Sequence, residues 1–327
     1  LIHYLGIDLG GTNIKGAVIG VEPESTPSVV ATSTAATQAE RGPAAVAQRM
    51  IDMGIEMAAM EGPFAGVGIG VPGLFDFGTG EIVFFTNLSG AWEGFPLRAT
   101  MAEGLGIPAT MINDARAFTL AEATVGAGRG CSTVACLTLG TGVGGGLFIN
   151  DELHFGAFGV AGELGHQTVA PDGPTCGCGN PGCMEAMTRA PVIAAAAGRA
   201  TMEDVLAGAA AGDPACTAAI EQAATYLGIG LANVVTIIGP ERIVIGGGVA
   251  AAGDALLDPI RDAVRARITL VPPEQIEVVA AELGSRAGAI GAALAAVVSP
   301  TRDQRFLAGE IPSAMMRREQ GPVTGRS

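Results

Sequence analysis

Apolar runs broken by glycine turns organise this chain. Residues 2 to 20, IHYLGIDLGGTNIKGAVIG, read as strand, turn, strand: one run reaches Asp8, the chain turns through Gly10, Gly11 and Thr12, and a second run passes Ile14 and Ala17 to Ile19. Residues 137 to 149, LTLGTGVGGGLFI, align without a gap on residues 7 to 19, with Leu, Gly, Gly and Ile matching, so the chain repeats one unit. Between the copies, residues 43 to 60 open on a proline and carry apolar residues at helical spacing, which predicts a helix with core methionines. AGVGIGVPGLFD reads as a buried strand ending in Pro72-Gly73, and IPATMIND as a strand ending on Asn113 and Asp114 before the helix-like run ARAFTLAEATVG. Residues 191 to 238 are alanine-rich and helix-like, with Asp213-Pro214 as a helix start. IVIGGGVA at 243 to 250 closes a strand on Gly246, Gly247 and Gly248 ahead of a helix-like stretch near Asp254, and another helix follows Gly284. From Ser299 onward no period is evident, and no function is read from that tail.

Composition narrows the class. A chain of 327 residues holds two ordinary domains or one large one, and many alanines and glycines with few aromatics favour close-packed α/β layers. A net charge of -14 argues against nucleic-acid partners, whose phosphates need a basic surface. No apolar run reaches the length of a membrane span, and the expectation is a cytoplasmic protein. Six cysteines fit a reducing compartment, with Cys131, Cys136 and Cys216 expected as buried thiols. Lys15 is the sole lysine, and it stands beside the first glycine turn.

The turns suggest anion chemistry. In a turn such as Gly10-Gly11-Thr12, missing side chains let backbone N–H groups approach a phosphate while the threonine adds a hydroxyl. Asp8 at the strand end is placed to hold the Mg²⁺ that travels with ATP; an ordinary β-hairpin is the alternative reading. Gly140, Thr141 and Gly142 form the second such turn, and Gly246 to Gly248 give backbone against which a base or ribose could rest. No P-loop signature occurs. His166, Cys176, Cys178 and Cys183 form H-x9-C-x-C-x4-C, four ligands that suit a closed structural zinc site, with a disulfide plus a spare thiol as the alternative. Glu163 and Glu185 bracket this loop and read as pointing at something polar, which a sugar would satisfy. Asp114 is placed to accept a proton from an alcohol, or to cap the helix that follows it.

DLGGT, the paired LGTGVGGG, GELGH…CGCGNPGCME and IVIGGGV together resemble the ROK family of sugar kinases, in its bacterial glucokinase-like branch, over residues 2 to 298. The resemblance implies two RNase H-like α/β domains of the actin-like ATPase fold around a central cleft, with a structural zinc loop at 162–186. The small domain would take residues 1–118 plus about 285–300, the larger one 119–284, and 301–327 would be a tail. It further implies transfer of the γ-phosphoryl group of ATP to O6 of a hexose, glucose first, with Asp114 as general base. Asp8 with Mg²⁺, Lys15, and the turns at Gly10, Gly11, Thr12, Gly140, Thr141, Gly142 and Gly246 to Gly248 would serve the nucleotide. Gly73, Asn87, Asn113, Glu163, His166 and Glu185 would orient the sugar, His166 using one ring nitrogen for zinc and the other for a hydroxyl. Trp92 is expected to pack under its loop, and His3 and His154 to be incidental. Arg116 departs from the family's usual asparagine. An amino-sugar or N-acetylhexosamine kinase is the rival in the same class; a sugar-sensing repressor would carry a helix-turn-helix before DLGGT, and a non-catalytic sugar-binding module is the third reading. Family members are commonly dimers or tetramers.

Overall fold

The computed structural model describes residues 1–85 and 88–298. Its first half runs β1 (Ile2–Leu9), β2 (Asn13–Val21), β3 (Ser28–Ala36), α1 (Pro43–Glu61), β4 (Phe64–Val71), β5 (Gly73–Phe75), β6 (Ile82–Phe85), α2 (Leu97–Leu105), β7 (Ala109–Asn113) and α3 (Asp114–Thr124). The second runs β8 (Thr133–Leu139), β9 (Val143–Ile149), β10 (Glu152–Leu153), α4 (Met184–Thr188), α5 (Ala190–Ala196), α6 (Met202–Ala210), α7 (Pro214–Ile238), β11 (Arg242–Gly246), α8 (Asp254–Arg265), β12 (Glu277–Ala280) and α9 (Ala287–Val298). Among the described residues the strands make two five-stranded sheets, ordered β3-β2-β1-β4-β7 and β10-β9-β8-β11-β12, with β5 and β6 as a separate hairpin. Each large sheet has an antiparallel meander on one side and two parallel strands on the other, so the sequence repeat is a repeat of topology.

The registers of the two hairpins differ. β1 pairs Leu9 with Ile14 and Asp8 with Lys15, whereas β8 pairs Leu139 with Val143 and Thr138 with Gly144. The first turn closes from Gly10 N–H to the Asn13 carbonyl, the second from Gly140 N–H to that of Gly142. One residue fewer in the turn puts the gapless alignment out of register, and a one-residue slip moves every side chain to the other face.

Helix α1 starts at Pro43, with its fixed φ suited to a first turn, and buries Met50, Met53 and Met57 against the first sheet. Met60 is 67 % exposed, the exception to the expected core methionines. Asp213 caps α7 by accepting from Ala215 N–H at 2.9 Å. Helix α9 lies directly on β1 and β4. A Cβ on Gly6 would meet the Ala289 carbonyl at 1.9 Å and one on Gly68 the Ala292 carbonyl at 1.7 Å, so this glycine-alanine seam admits no larger residue. Helix α3 packs on α9 as well as on β8 and β9, so a boundary at residue 118 falls inside it. No helix among the described residues is long and apolar enough to cross a membrane.

Candidate active site

The residues singled out above gather at the carboxyl ends of the parallel strands: Asp8 on β1, Gly73 after β4, Asn113 ending β7, Gly140 after β8 and Gly246 ending β11. Open α/β sheets place ligands at such ends. Asn113, not Asp114, caps α3, its Oδ1 accepting from Ala115 N–H at 3.1 Å while its Nδ2 donates to the Gly73 carbonyl at 3.4 Å. The cap reading of Asp114 is thereby corrected in position: it is the first residue inside α3, and its own Oδ1 also accepts from Ala115 N–H, at 2.8 Å. Gly73 has φ +137, and a Cβ there would lie 2.2 Å from the Phe84 carbonyl, so only glycine turns the chain at this point.

Asp8 and Asp114 belong to one electrostatic site. Asp8 is raised to about 6, chiefly by burial and then by the negative charge of Asp114, with Lys15 across the β1–β2 ladder opposing both. Asp114 is also raised to about 6, first by the low-dielectric walls around it and then by Glu163, against N–H donation from Ala115. The residue is nevertheless exposed, so the surrounding protein crowds the carboxyl without sealing it into a core. Two raised carboxylates, one of them hindered by the charge of the other, with one lysine beside them, make a place that a divalent cation would relieve.

Two loops hold the hairpins in place. Thr37, fully buried, donates from Oγ1 to the Gly10 carbonyl at 2.6 Å and from its N–H to the Thr12 carbonyl at 2.8 Å. Sequence reasoning missed Thr37, because nothing local marks a partner 27 residues away. At the second turn, Ala190 N–H, at the start of α5, donates to the Gly140 carbonyl at 2.8 Å. Glu185 Oε2 accepts from Val143 N–H at 2.9 Å. Thr12, Gly11 and Thr141 are exposed on the turns. Gly142 faces the Glu185 carboxylate, 2.8 Å from where its Cβ would stand, and nothing lies within 4 Å of a Cβ built on Gly140 or Gly248. Gly247 has φ +90 and sits against Leu139, so the third glycine cluster adjoins the second turn, whereas Gly246 faces the Phe118 ring in the core. Asn87 lies outside the described residues.

The glycines 144 to 146 do something other than cradle an anion. Built Cβ atoms on Gly144 and Gly146 would touch Ala115 and Thr119 of α3, and one on Gly145 would touch Leu164 and the Gly162 carbonyl. Strand β9 is therefore bare on both faces over these three residues, so that helix α3 and the entrance to the cysteine loop can lie flat on it.

In that loop the side-chain ligand atoms of His166, Cys176, Cys178 and Cys183 all lie within 4.8 Å of one another. His166 Nδ1 stands 3.6 Å from Cys176 Sγ, and Cys178 Sγ 3.6 Å from Cys183 Sγ. A tetrahedron with metal–sulfur bonds of about 2.3 Å has sulfur–sulfur edges near 3.8 Å, shortening to about 3.5 Å toward a nitrogen at about 2.0 Å, so the donor set fits a closed zinc site. A disulfide needs about 2.05 Å between sulfurs, and all six cysteines are free, which removes the disulfide alternative. Glu185 links this cluster to the second hairpin: its Oε1 lies 3.5 Å from Cys176 Sγ while Oε2 holds Val143. Cys136 and Cys216 are buried as expected, but Cys131 is only partly covered because it follows a surface turn at the start of β8. Trp92 packs between Phe85 and Phe95, its indole N–H donating to the Ser89 carbonyl. His3 binds the Glu61 carbonyl, away from the cleft.

Arg116 is 5 % exposed and reaches from α3 to the loop before the cluster. It donates to the carbonyls of Ala161 (3.1 Å) and Gly159 (2.7 Å) and to Glu163 Oε1 (3.1 Å), with its guanidinium 5.0 Å over the Phe155 ring.

Comparison with known proteins gives the same answer as the geometry. The ROK family model matches residues 4–298. A glucokinase of Halalkalibacterium halodurans is 35% identical over 88% of this chain and 93% of its own length. A ROK hexokinase from Thermus thermophilus superposes with a TM-score of 0.80 at 34% identity, covering 91% of this chain and 99% of the other. A ROK family glucokinase from Streptomyces griseus, solved in complex with glucose and AMPPNP, does so with a TM-score of 0.74 at 31% identity over 90% of this chain and 99% of its own. The two related α/β sheets are the sugar-kinase form of the actin-like ATPase fold, and this chain belongs to the ROK family.

Proposed function

We propose that the chain transfers the terminal phosphoryl group of ATP to a hexose hydroxyl, O6 of glucose first, with Asp114 as the general base. The observation that supports this reading is that Asp8, near the end of β1, and Asp114, directly after β7, stand at the same carboxyl edge of the first sheet, with the charge of Asp114 helping to raise Asp8. Relatives named for glucose phosphorylation, and a neighbour holding glucose and AMPPNP, support the choice of substrates.

Phosphoryl transfer needs positioning and charge neutralisation more than covalent help. Asp114, once ionised, takes the hydroxyl proton as the oxygen attacks phosphorus. Lys15 and the backbone of Gly11, Thr12, Gly140 to Gly142, Gly247 and Gly248 hold the phosphates and the nucleoside. Mg²⁺ at Asp8, when bound, supplies charge neutralisation on the phosphates. Asn113 fixes Gly73 at the pocket rim, and Glu163, His166 and Glu185 with Asn87 orient the sugar. Zinc at His166, Cys176, Cys178 and Cys183 would supply shape alone, holding the imidazole by Nδ1 so that Nε2 is left for a hydroxyl. Free thiols suit a reducing cytoplasm. A dimer or tetramer belongs to the same reading and is checked by sedimentation.

The test is a coupled ADP-release assay over glucose, mannose, fructose, glucosamine and N-acetylated hexosamines. Wild type should turn over glucose best. Asp114→Asn should lose roughly 10²–10⁴-fold in kcat while binding sugar nearly as well by calorimetry. Near-normal turnover in that variant would remove Asp114 as the base.

A further inference from the structure

Arg116 has no part in the chemistry described so far, yet it is almost wholly buried, and its guanidinium donates to three acceptors on one loop. Two of these are backbone carbonyls, which carry no net charge. The third is the Glu163 carboxylate, whose side chain remains 42% exposed. The pair thus has one member in the wall and the other at the pocket surface, and the wall member cannot turn away because Phe155 lies under it.

We propose that Arg116 sets the charge of the sugar pocket: paired with Glu163 it makes that corner neutral, so the chain selects uncharged hexoses over those bearing an ammonium group. The inference rests on the reading of Glu163 as a sugar contact. Among the carboxylates of the pocket, Asp114 faces the reacting hydroxyl, and Glu185 is engaged with Val143 N–H and Cys176 Sγ. Glu163 is therefore the carboxylate whose charge a substituent elsewhere on the ring would meet, and Arg116 offsets it at 3.1 Å. The same bond occupies Oε1, leaving Oε2 as the acceptor for a single hydroxyl. An ammonium sugar entering this corner gives up hydration without gaining an unpaired anion.

The experiment measures sugar affinity by calorimetry, at a pH where the amines are protonated, for glucose, 2-amino-2-deoxyglucose and 3-amino-3-deoxyglucose. Arg116→Met keeps a stem over Phe155 and removes the cation. Glucose affinity should fall, and affinity for at least one amino sugar relative to glucose should rise about fivefold or more. Glu163→Gln removes the anion and leaves the cation, so the same ratio should fall below that of wild type. Opposite movement of one ratio is not produced by a residue that only holds a loop. Ratios within about twofold of wild type in both variants, or moving in the same direction, would overturn the proposal. Should Arg116→Met fail to give a cooperative melt, the Glu163→Gln arm decides alone. The readout needs no turnover: wild type that releases no ADP with any sugar sinks the kinase reading, while the ratios still judge the subsite.

Discussion

The two glycine hairpins share a sequence pattern and a place in their sheets, but they are built for different work. The first pairs Asp8 with Lys15 across its ladder and is tied from behind by Thr37. The second is one residue tighter, pairs Thr138 with Gly144 where the first has its charges, and is held by Glu185 and Ala190 from the cysteine loop and α5. Duplication supplied the scaffold twice and the charge once. On the proposed function, one hairpin would carry the electrostatics of phosphate and cation, and the other shape, passed on from the cysteine cluster through Glu185.

That division is broken most directly at positions 8 and 138, which the alignment makes equivalent. Asp8→Asn should lower kcat/KM by about 10²-fold or more, because it removes the anchor of a charge that catalysis neutralises. Thr138→Ala should stay within about threefold of wild type by the same argument. Comparable losses at both positions, in steady-state assays with magnesium titrated, would show the hairpins to be chemically equivalent after all.

The dependence of the second hairpin on the cysteine cluster is tested by Cys178→Ser or by a strong chelator. Sugar affinity should fall about 10–100-fold as His166 and Glu185 lose their bracing, with a lower Tm. Nucleotide affinity, resting more on the first hairpin, should change less. Equal loss of both ligands in calorimetry would mean that the cluster supports the fold as a whole.

Both hairpins, their repetition and the four-residue ligand set were legible in the sequence because each rests on local spacing. What escaped is set by contacts distant in sequence. Thr37 gives no signal beside its polar neighbours, yet it braces a turn 27 residues away. The one-residue slip is invisible to an alignment that matches without gaps, since only the turn's closing hydrogen bond fixes it. The packing role of Gly144 to Gly146 was not legible either: their small size admits α3 and Leu164, which lie elsewhere in the sequence. Arg116 was visible as a departure, but not its grip on Glu163, which lies 47 residues away.

Thr37 offers a smaller test of the same contrast. Thr37→Val keeps the volume and the N–H bond to Thr12 but loses the hydroxyl bond to the Gly10 carbonyl. A part-buried acceptor left without that donor should cost about 0.5–1.5 kcal/mol in denaturant unfolding. KM for the nucleotide should rise a few-fold while that for the sugar holds. A rise in sugar KM alone would mean that Thr37 braces the pocket and not the phosphate turn.

The mildest effect is in pH, and its sign follows from the raised carboxylates. Asp8 and Asp114 are both moved from 3.8 to about 6 in the folded protein, so between those values the unfolded chain has released protons that the folded one still holds. The protein free of ligands should therefore lose stability as pH rises from about 4 to 6 at these two sites, and Tm of Asp114→Asn should exceed that of wild type above pH 6. With Asp114 as the proposed base, activity runs the other way, because a carboxyl accepts a proton only when ionised: kcat/KM should climb with pH through about 6. Glu163→Gln removes one cause of the raised value at Asp114, so its acid limb should move to lower pH even as its sugar affinity drops. Thermal melts and pH–rate profiles on the same variants measure both trends. A wild type more stable than Asp114→Asn at neutral pH, with no acid limb near 6, would detach the first hairpin's charge from the base it is argued to face.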